Sequence, residues 1–258
     1  MRILTLGILC LFSSVLAAQN HEAPPATPPA QDGGVRAVLE SIVIPPIPNH
    51  PFSATLDTEW VQYTGGGGTI TLVNERPIVR DSQGRIYQER WALVPKSGRA
   101  KSQRMIIQIA DPNQHTLYSC ATFRHICELE TYDPTHEVAA AEPPKPIPIP
   151  NGTLVEGHLT IEDLGSRTIA GVETIGRRET SIIDVGVMGN DQPLTSITET
   201  WRSQELAINL LSIRTGPMIG KQNFTIVDLS AVEPDPELFK VPQGYEIRDF
   251  RKKPPIFW

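Results

Sequence analysis

The sequence predicts a mainly β protein, built on one large curved antiparallel sheet of about 10–12 strands with little helix. Apolar and polar residues alternate with a period of two through much of the chain, as in strands that bury one face. Turn-forming residues separate these runs at short spacing, and the spacing of amphipathic helices is nearly absent. Because long sheets twist and curl, we expect a half-barrel with one concave face.

The first half of the chain alternates from residue 52 onward. Phe52, Ala54 and Leu56 fall on one face of a strand, and the polar residues between them fall on the other. Four glycines at 65–68 predict a hairpin tip, and residues 81–84 predict a turn whose glycine takes a positive φ. We therefore expect strands over 52–63, near 70–80, 85–94, 105–109 and 115–120, and a return strand that carries Cys127.

The second half repeats this alternation with different residues. Leu159 and Ile161 alternate with polar neighbours, and Ile183, Val185 and Val187 do the same. We expect strands over 155–161, 167–178, 183–187, 194–203, 206–210 and 220–230. Short helical turns are expected at Val35–Ile44 and Pro234–Phe239, with Asp235 near the start of the second.

The ends of the chain and two proline-rich stretches predict its organisation. Arg2, the apolar run that follows it, and small residues up to 17 or 18 have the three parts of a cleavable secretory signal. We expect a signal peptide at 1–18, a flexible Pro-rich leader at 19–50, one β domain at 51–247 interrupted by a Pro-rich linker at 137–152, and a tail at 248–258. The protein is therefore expected to be exported, to the periplasm or the extracellular space.

Charge and hydropathy exclude some classes of partner. Without the signal, 22 basic residues (23 less Arg2) face 29 acidic ones, a net charge of −7. This balance argues against a general nucleic-acid-binding protein, which would have a basic face. No apolar run after the signal has the length of a membrane span, so we expect no transmembrane span in the mature chain.

The cysteines predict a disulfide. Cys10 lies within the signal, which leaves Cys120 and Cys127 as a close pair in an oxidising compartment. Free thiols, or a metal or catalytic site that also uses His115 and His125, are the alternatives.

Catalytic motifs are missing from the sequence. The chain contains no G-x-S-x-G elbow, no H-E-x-x-H helix and no G-x-x-x-x-G-K-[ST] phosphate loop, so we expect no enzyme, no catalytic residues, no cofactor and no metal. Trp60, Trp91 and Trp201 each lie in an expected strand. They are either core residues or the wall of a ligand site on the concave face.

The segment from Trp201 to Ile247 resembles a known group of proteins. It contains W-x-S-x-E-L, a glycine hairpin and E-P-D-P-x-L-F-x-V-P-x-G-Y, and weaker similarities extend the resemblance over about residues 52–247. The group consists of exported bacterial proteins with a LolA-like architecture, including the outer-membrane lipoprotein carrier and the RseB-type stress regulators. The resemblance implies a curved antiparallel sheet whose concave side is plugged, and in the carrier that cavity takes acyl chains. This chain lacks the long amphipathic helices that cover the carrier's cavity.

Two functions are therefore expected for this chain. The first is a non-enzymatic envelope protein that binds a hydrophobic ligand, such as an acyl chain or a lipoprotein, on the concave face. The second is a protein–protein interaction or structural module of the envelope that uses edge strands and the Pro-rich linker.

Overall fold

A computed structural model describes residues 42–135 and 157–251. Thirteen strands and one short 3-10 helix make up this part of the chain. The strands are β1 Phe52–Tyr63, β2 Thr69–Arg80, β3 Ile86–Trp91, β4 Val94–Pro95, β5 Arg104–Asp111, β6 Thr116–Ala121, β7 Ile126–Thr131, β8 Gly157–Ile169, β9 Val172–Ile183, β10 Leu194–Ser203, β11 Ile208–Gly216, β12 Gly220–Ser230 and β13 Glu246–Asp249. The 3-10 helix covers Pro236–Phe239.

All thirteen strands belong to one sheet. Its order is β13-β7-β6-β5-β3-β2-β1-β12-β11-β10-β9-β8, and β4 pairs with β2 beside this path. The pairings are antiparallel except that β13 runs parallel to β7, and the sheet does not close. The predicted fold class, one large mainly antiparallel sheet with little helix, is confirmed.

The sheet has an inner face and an outer face, which alternate along each strand. On β1 the inner face carries Phe52, Leu56 and Trp60, and the outer face carries Asp57 and Glu59. The inner-face core lies at the end of the sheet where β1 begins and β2 ends, and its fully buried members include Phe52, Leu56, Ile78, Ile208, Leu210, Phe224 and Ile226. At this end, side chains fill the inner face.

Arg80 ties the inner face together. Its buried guanidinium donates to the carbonyl oxygens of Pro45 (2.8 Å), His50 (2.9 and 3.0 Å) and Leu206 (2.9 Å). Leu206 lies in the turn before β11, three strands from β2 in the sheet order, a separation of about 14 Å in a flat sheet. The sheet therefore bends toward its inner face.

Residues 42–50 are part of this core. Ile42 and Ile44 are buried in the inner-face cluster, and Pro45 is fully buried. The end of the segment that we expected to be a flexible leader therefore covers the inner face. No helix occurs at 42–44, and the remainder of the expected helix at Val35–Ile44 lies outside the described residues.

The 3-10 helix covers a second part of the sheet, on the outer face of β2, β3, β5, β6 and β7. Phe239 of the 3-10 helix packs in a cluster with Tyr87, Ile107, Ile109 and the cysteine pair. Asp235 caps this helix by accepting from the Glu237 amide at 2.9 Å, so the predicted helical turn at Pro234–Phe239 is confirmed. β13 follows it and includes Arg248 and Asp249, which belong to the tail that the sequence predicts at 248–258.

Two predicted strands have different bounds. Ile183 ends β9, and residues 184–190 form a turn with positive φ at Gly186 and Gly189, so the expected strand over 183–187 is wrong. The runs expected at 155–161 and 167–178 are one hairpin, β8–β9, which turns at Ala170 and Gly171.

Candidate functional site

A groove of about 650 Å³ opens on the outer face, beside the region that the 3-10 helix covers. Its floor consists of two neighbouring rows of side chains that cross β2, β1 and β12. The register gives these rows as Glu75–Asp57–Thr225 and Val73–Glu59–Asn223. One wall comes from the chain that leaves β3, with Trp91, Val94, Lys96 and Ser102.

Glu89 positions the Trp91 indole in this wall. The carboxylate of Glu89 is buried and accepts from the Trp91 indole N–H at 2.6 Å. It also accepts from the Tyr87 hydroxyl and from Arg104 at 2.7 Å. Burial and the Glu89 carboxylate raise the pKa of Tyr87, and the hydrogen bond to Glu89 raises the pKa of Arg104. Tyr87 therefore stays neutral and Arg104 stays charged, which keeps both donating to Glu89.

The floor of the groove is acidic. Asp57, Glu59 and Glu75 line it, and Asp228 lies close to Asp57 at a bulge in β12, where its φ is 50°. Lys96 is the basic residue that lines the groove, and it pairs with Glu59 at 2.5 Å. Burial, reinforced by the charges of Glu75 and Asp228, raises the pKa of Asp57.

Two side-chain oxygens of the groove floor, Asp57 Oδ1 and Asn223 Oδ1, are buried without a hydrogen-bond partner in the protein. A buried acceptor without a donor costs about 1–3 kcal/mol. Asn74 lies between Val73 and Glu75 on β2 and opposite Thr58, so its side chain is on the inner face. Its Nδ2 donates to the Trp91 carbonyl at 2.6 Å.

The three tryptophans that the sequence offers as a possible ligand wall lie on different faces of the sheet. Trp91 and Trp201 are on the outer face, where Trp201 lies two strands beyond Thr225 along the row that contains Asp57. Trp60 is on the inner face and donates to the Ile219 carbonyl at 2.7 Å. The register therefore does not bring the three into one wall, and contact of any of them with a ligand stays a prediction.

Trp201 is held within the sheet by its neighbours. Its indole N–H donates to Glu199 at 2.8 Å, and Arg167 lies 3.7 Å from the centre of the ring. That indole bond, with the nearby Arg178, lowers the pKa of Glu199. A Cβ atom on Gly176 would lie 2.6 Å from the Trp201 ring, so glycine is required there.

Cys120 and Cys127 form the predicted disulfide, as opposed residues of β6 and β7. His115 and His125 occupy turns on either side of β6, with φ of 52° and 51°. The His125 ring packs edge-on against Tyr245 at 5.1 Å. Within residues 42–135 and 157–251, no group of three or more His, Cys, Asp or Glu side chains is placed to hold a metal ion.

Apart from Trp91, sequence reasoning missed the groove residues. Asp57 and Glu59 were expected only as the polar face of a strand. Glu75 and Asn223 join them through pairing between segments that are distant in sequence, which no local pattern reveals.

None of the described residues form a helix with the length and apolar character needed to cross a membrane.

Fold and groove together define an open-sheet β protein with an acidic groove on its outer face. No protein-family model matches the chain, and no curated protein matches its sequence. Solved structures do match. An uncharacterized conserved protein from Thermus thermophilus is 8% identical, over 78% of this chain and 91% of its own, with a TM-score of 0.39.

Two further matches are to proteins with names. A chain of the Pseudomonas aeruginosa MucA/MucB complex is 12% identical over 74% of this chain, with a TM-score of 0.34, and this chain covers 55% of its length. LprF from Mycobacterium bovis is 11% identical over 72% of this chain and 90% of its own, with a TM-score of 0.29. MucB and LprF have LolA-like folds, the group that the motifs of this sequence resemble.

Proposed function

We propose that the chain is a non-catalytic, exported envelope protein that binds an amphipathic ligand, of the lipid or lipoprotein class, in the groove of the outer face. The observation that carries this proposal is the pairing of an apolar wall with an acidic, polar floor in one groove. Trp91, Val73 and Val94 supply apolar surface, and Asp57 and Asn223 supply acceptors. Ligand sites combine these two kinds of surface.

The packing of the inner face supports placing the ligand on the outer face. We had expected a hydrophobic ligand on the concave side, but Phe52, Leu56 and Phe224 are fully buried there under residues 42–50. A ligand at that end would have to displace a packed core. The groove offers about 650 Å³ without such displacement, within the range typical of small-molecule sites.

Two features support export to the envelope. Disulfides persist in oxidising compartments, and Cys120–Cys127 is such a bond. Residues 1–18, which lie before the described part of the chain, have the composition of a secretory signal.

Fluorescence quenching by a brominated, uncharged detergent tests the proposed site. Titrating brominated dodecyl maltoside below its micelle concentration should quench the wild-type emission with saturation, because bromine atoms in the groove would lie close to Trp91. Trp91→Phe should lose the saturable part, and the matched variant Trp60→Phe, on the inner face, should keep it. Saturable quenching that survives in Trp91→Phe, or no saturable quenching of the wild type, would refute the site.

An interaction module is the second candidate function, favoured by the exposed edge at β8. Among the residues that the structure describes, this strand ends the sheet, and Leu159 and Ile161 in it are 60% and 45% exposed. An edge strand with apolar side chains can pair with an extended segment of another protein. The Pro-rich linker at 137–152, the other part of this proposal, lies outside the residues that the structure describes.

Cross-linking in intact cells tests whether the chain is an interaction module that uses β8. Leu159→Lys should abolish cross-links to an envelope partner because it places a charge on the pairing strand. Val232→Lys changes a residue that is also exposed, at 72%, but lies away from the edge, and it should leave the cross-links intact. Cross-links that persist in Leu159→Lys would argue against β8 as an interaction surface.

A further inference from the structure

The turns of the sheet lie at two ends, because nearly all neighbouring strands run antiparallel. The inner-face core occupies one end. We call the other end the hairpin rim, and it consists of residues 64–68, 92–103, 122–125, 184–193 and 217–219. Six large apolar side chains in or next to these segments are 48–68% exposed: Tyr63, Ile70, Phe123, Val185, Met188 and Met218. In the described connections at the opposite end, only Val232 is comparably exposed.

The apolar side chains of three rim turns form one continuous surface. A cavity of about 310 Å³ lies between the β1–β2 turn and the β11–β12 turn, and it is lined by Tyr63, Ile70 and Met218. A second cavity, of about 200 Å³, is lined by Met218 and Met188. The four glycines between Tyr63 and Ile70 leave the first tip open, since a Cβ atom on Gly66 would meet nothing within 4 Å.

Basic side chains border this apolar surface. The connection 92–103 is bonded to β2 beside Ile70, through the backbone amide of Lys96. It also contains Arg99 and Lys101, which are exposed, and it contains no acidic residue. A stretch with three cations and no anion therefore lies next to the apolar row.

Charge differs between the two ends of the sheet. The rim segments contain acidic residues only at Asp184 and Asp191, in the β9–β10 turn. The opposite end exposes Glu205, Glu233 and Asp235, and it lies about 40 Å away, the length of a 12-residue strand. This distance is several times the Debye length of about 8 Å at physiological ionic strength. A surface that meets the rim therefore responds to the basic charge of the rim rather than to the net charge of the whole chain.

This combination of side chains is suited to a membrane surface. Apolar and aromatic side chains enter the interfacial layer of a bilayer, and tyrosine is favoured there. Lysine and arginine side chains near that layer are attracted to anionic lipid head groups. Because the apolar groups lie on separate hairpin turns, each can enter the layer without a matching pocket on the partner.

We infer that the hairpin rim docks on the surface of an anionic lipid bilayer. Tyr63, Met188 and Met218 enter the interfacial layer, and Arg99 and Lys101 lie at the head groups. This docking surface goes beyond the proposed function and does not depend on it, because the groove on the outer face takes a single ligand, whereas the rim meets the bilayer.

Co-sedimentation of the full exported chain with sucrose-loaded vesicles tests the inference. At an ionic strength of about 0.1 M, vesicles of phosphatidylcholine with phosphatidylglycerol should bind it about tenfold or more tightly than phosphatidylcholine alone, and about 1 M salt should reduce the difference. Arg99→Gln combined with Lys101→Gln should weaken the binding about tenfold or more, since each cation near an anionic surface contributes a factor of about five. Met188→Gln combined with Met218→Gln should weaken it by about the same factor.

Two control variants change residues away from the rim. Val232→Gln removes an exposed apolar side chain at the opposite end, and Lys240→Gln removes an exposed cation at the end of the 3-10 helix. Both should leave the binding unchanged. If the rim variants bind as tightly as these controls, or if the wild type shows no preference for the anionic vesicles, the inference is overturned.

A polarity-sensitive fluorophore reports the docked orientation directly. It is attached through Gly66→Cys in the β1–β2 turn or through Gln114→Cys, which changes an exposed residue in a turn at the opposite end. On anionic vesicles the label at position 66 should brighten and shift to shorter wavelength, because it enters a less polar layer. The label at position 114 should not respond. Equal responses at the two positions, or no response at position 66, would refute the docked orientation.

Two further measurements separate this inference from other uses of the chain. If size-exclusion chromatography shows a dimer that the Met188 and Met218 substitutions convert to a monomer, the rim contacts a second copy of the chain and the inference fails. Trp91→Phe should leave vesicle binding unchanged, because Trp91 belongs to the groove. Loss of vesicle binding in Trp91→Phe would contradict a docking surface at the rim. If vesicles bind through the rim but the maltoside does not quench Trp91, the proposed function fails and the docking surface stands.

Discussion

Replacing Arg80 with methionine removes a fully buried guanidinium that holds three parts of the chain together. Its donors bind the carbonyl oxygens of Pro45, His50 and Leu206 at 2.8–3.0 Å, and its plane lies 5.0 Å from the Phe52 ring centre. Methionine has a similar length and fills much of the space, but it donates nothing. The substitution therefore isolates the hydrogen bonds from the packing.

The expected cost follows from the three carbonyls that lose their donor. At about 1–3 kcal/mol for each buried acceptor, the loss is about 3–9 kcal/mol. Removing the cation offsets part of this, because burial disfavours the charged form and lowers the pKa of Arg80 to about 10. We therefore expect a loss in the lower half of that range, about 3–5 kcal/mol, for Arg80→Met.

Urea unfolding followed by circular dichroism measures this loss. Arg178→Met is the matched control, because Arg178 is half-exposed and its ion pairs with Glu162 and Glu199 lie at the surface. The control should change the urea midpoint little, because ion pairs at the surface contribute weakly to stability. If Arg80→Met unfolds at the same midpoint as the wild type with the same slope, Arg80 does not anchor residues 42–50 and the turn at Leu206.

Three further predictions concern other parts of the sheet. Replacing Cys120 and Cys127 together with alanine should lower the free energy of unfolding by about 2–3 kcal/mol, the loop-closure contribution of a short crosslink, and an unchanged urea midpoint would contradict this. Asp57→Asn should stabilise the protein at neutral pH. The pKa of Asp57 is raised in the folded state, so the wild-type carboxyl contributes its full stability only below pH 3.8, and this contribution is lost as the pH rises. The advantage of the variant should therefore vanish in acid. A constant advantage from neutral pH down to acid would refute the shift. Gly176→Ala should cost about 1–3 kcal/mol and change the emission of Trp201, because the new methyl group would overlap the indole; wild-type stability and emission would contradict the contact.

The alternating pattern predicted the strands well where one face is buried. In β1, Phe52, Ala54 and Leu56 are buried and the residues between them are partly exposed, as the sequence indicates. Burial of a single face forces this alternation, so the local pattern carries the information. The turn at residues 81–84 was also predictable from its turn-forming residues, and its glycine takes the expected positive φ, 81°.

The hairpin between β8 and β9 was not predictable from the same rules. Its turn places Ala170 at a φ of 48° and Gly171 at 79°, and alanine is not a residue that indicates positive φ. The apolar–polar alternation in the sequence also continues past Ile183, although Gly186 and Gly189 turn the chain there. Residues 42–50 were missed because proline-rich composition does not reveal that Ile42 and Ile44 pack on a distant sheet.

The groove depends on information that no single segment contains. Its floor joins residues of β1, β2 and β12, and β12 reaches β1 from more than 150 positions along the chain. The bulge at Asp228 sets which side chains oppose Asp57. A one-residue shift in that pairing would move Thr225 and Asn223 to the other face, so the site is fixed by register rather than by a motif.

Nuclear magnetic resonance of the labelled protein during a titration with dodecyl maltoside below its micelle concentration tests the central claim, that the outer groove is the ligand site. The side-chain amide signal of Asn223 and the indole signal of Trp91 should shift together and saturate at one dissociation constant. The indole signal of Trp60, on the inner face, should stay in place. Saturable shifts at Trp60, with none at Trp91 and Asn223, would contradict the account and move the site to the inner face.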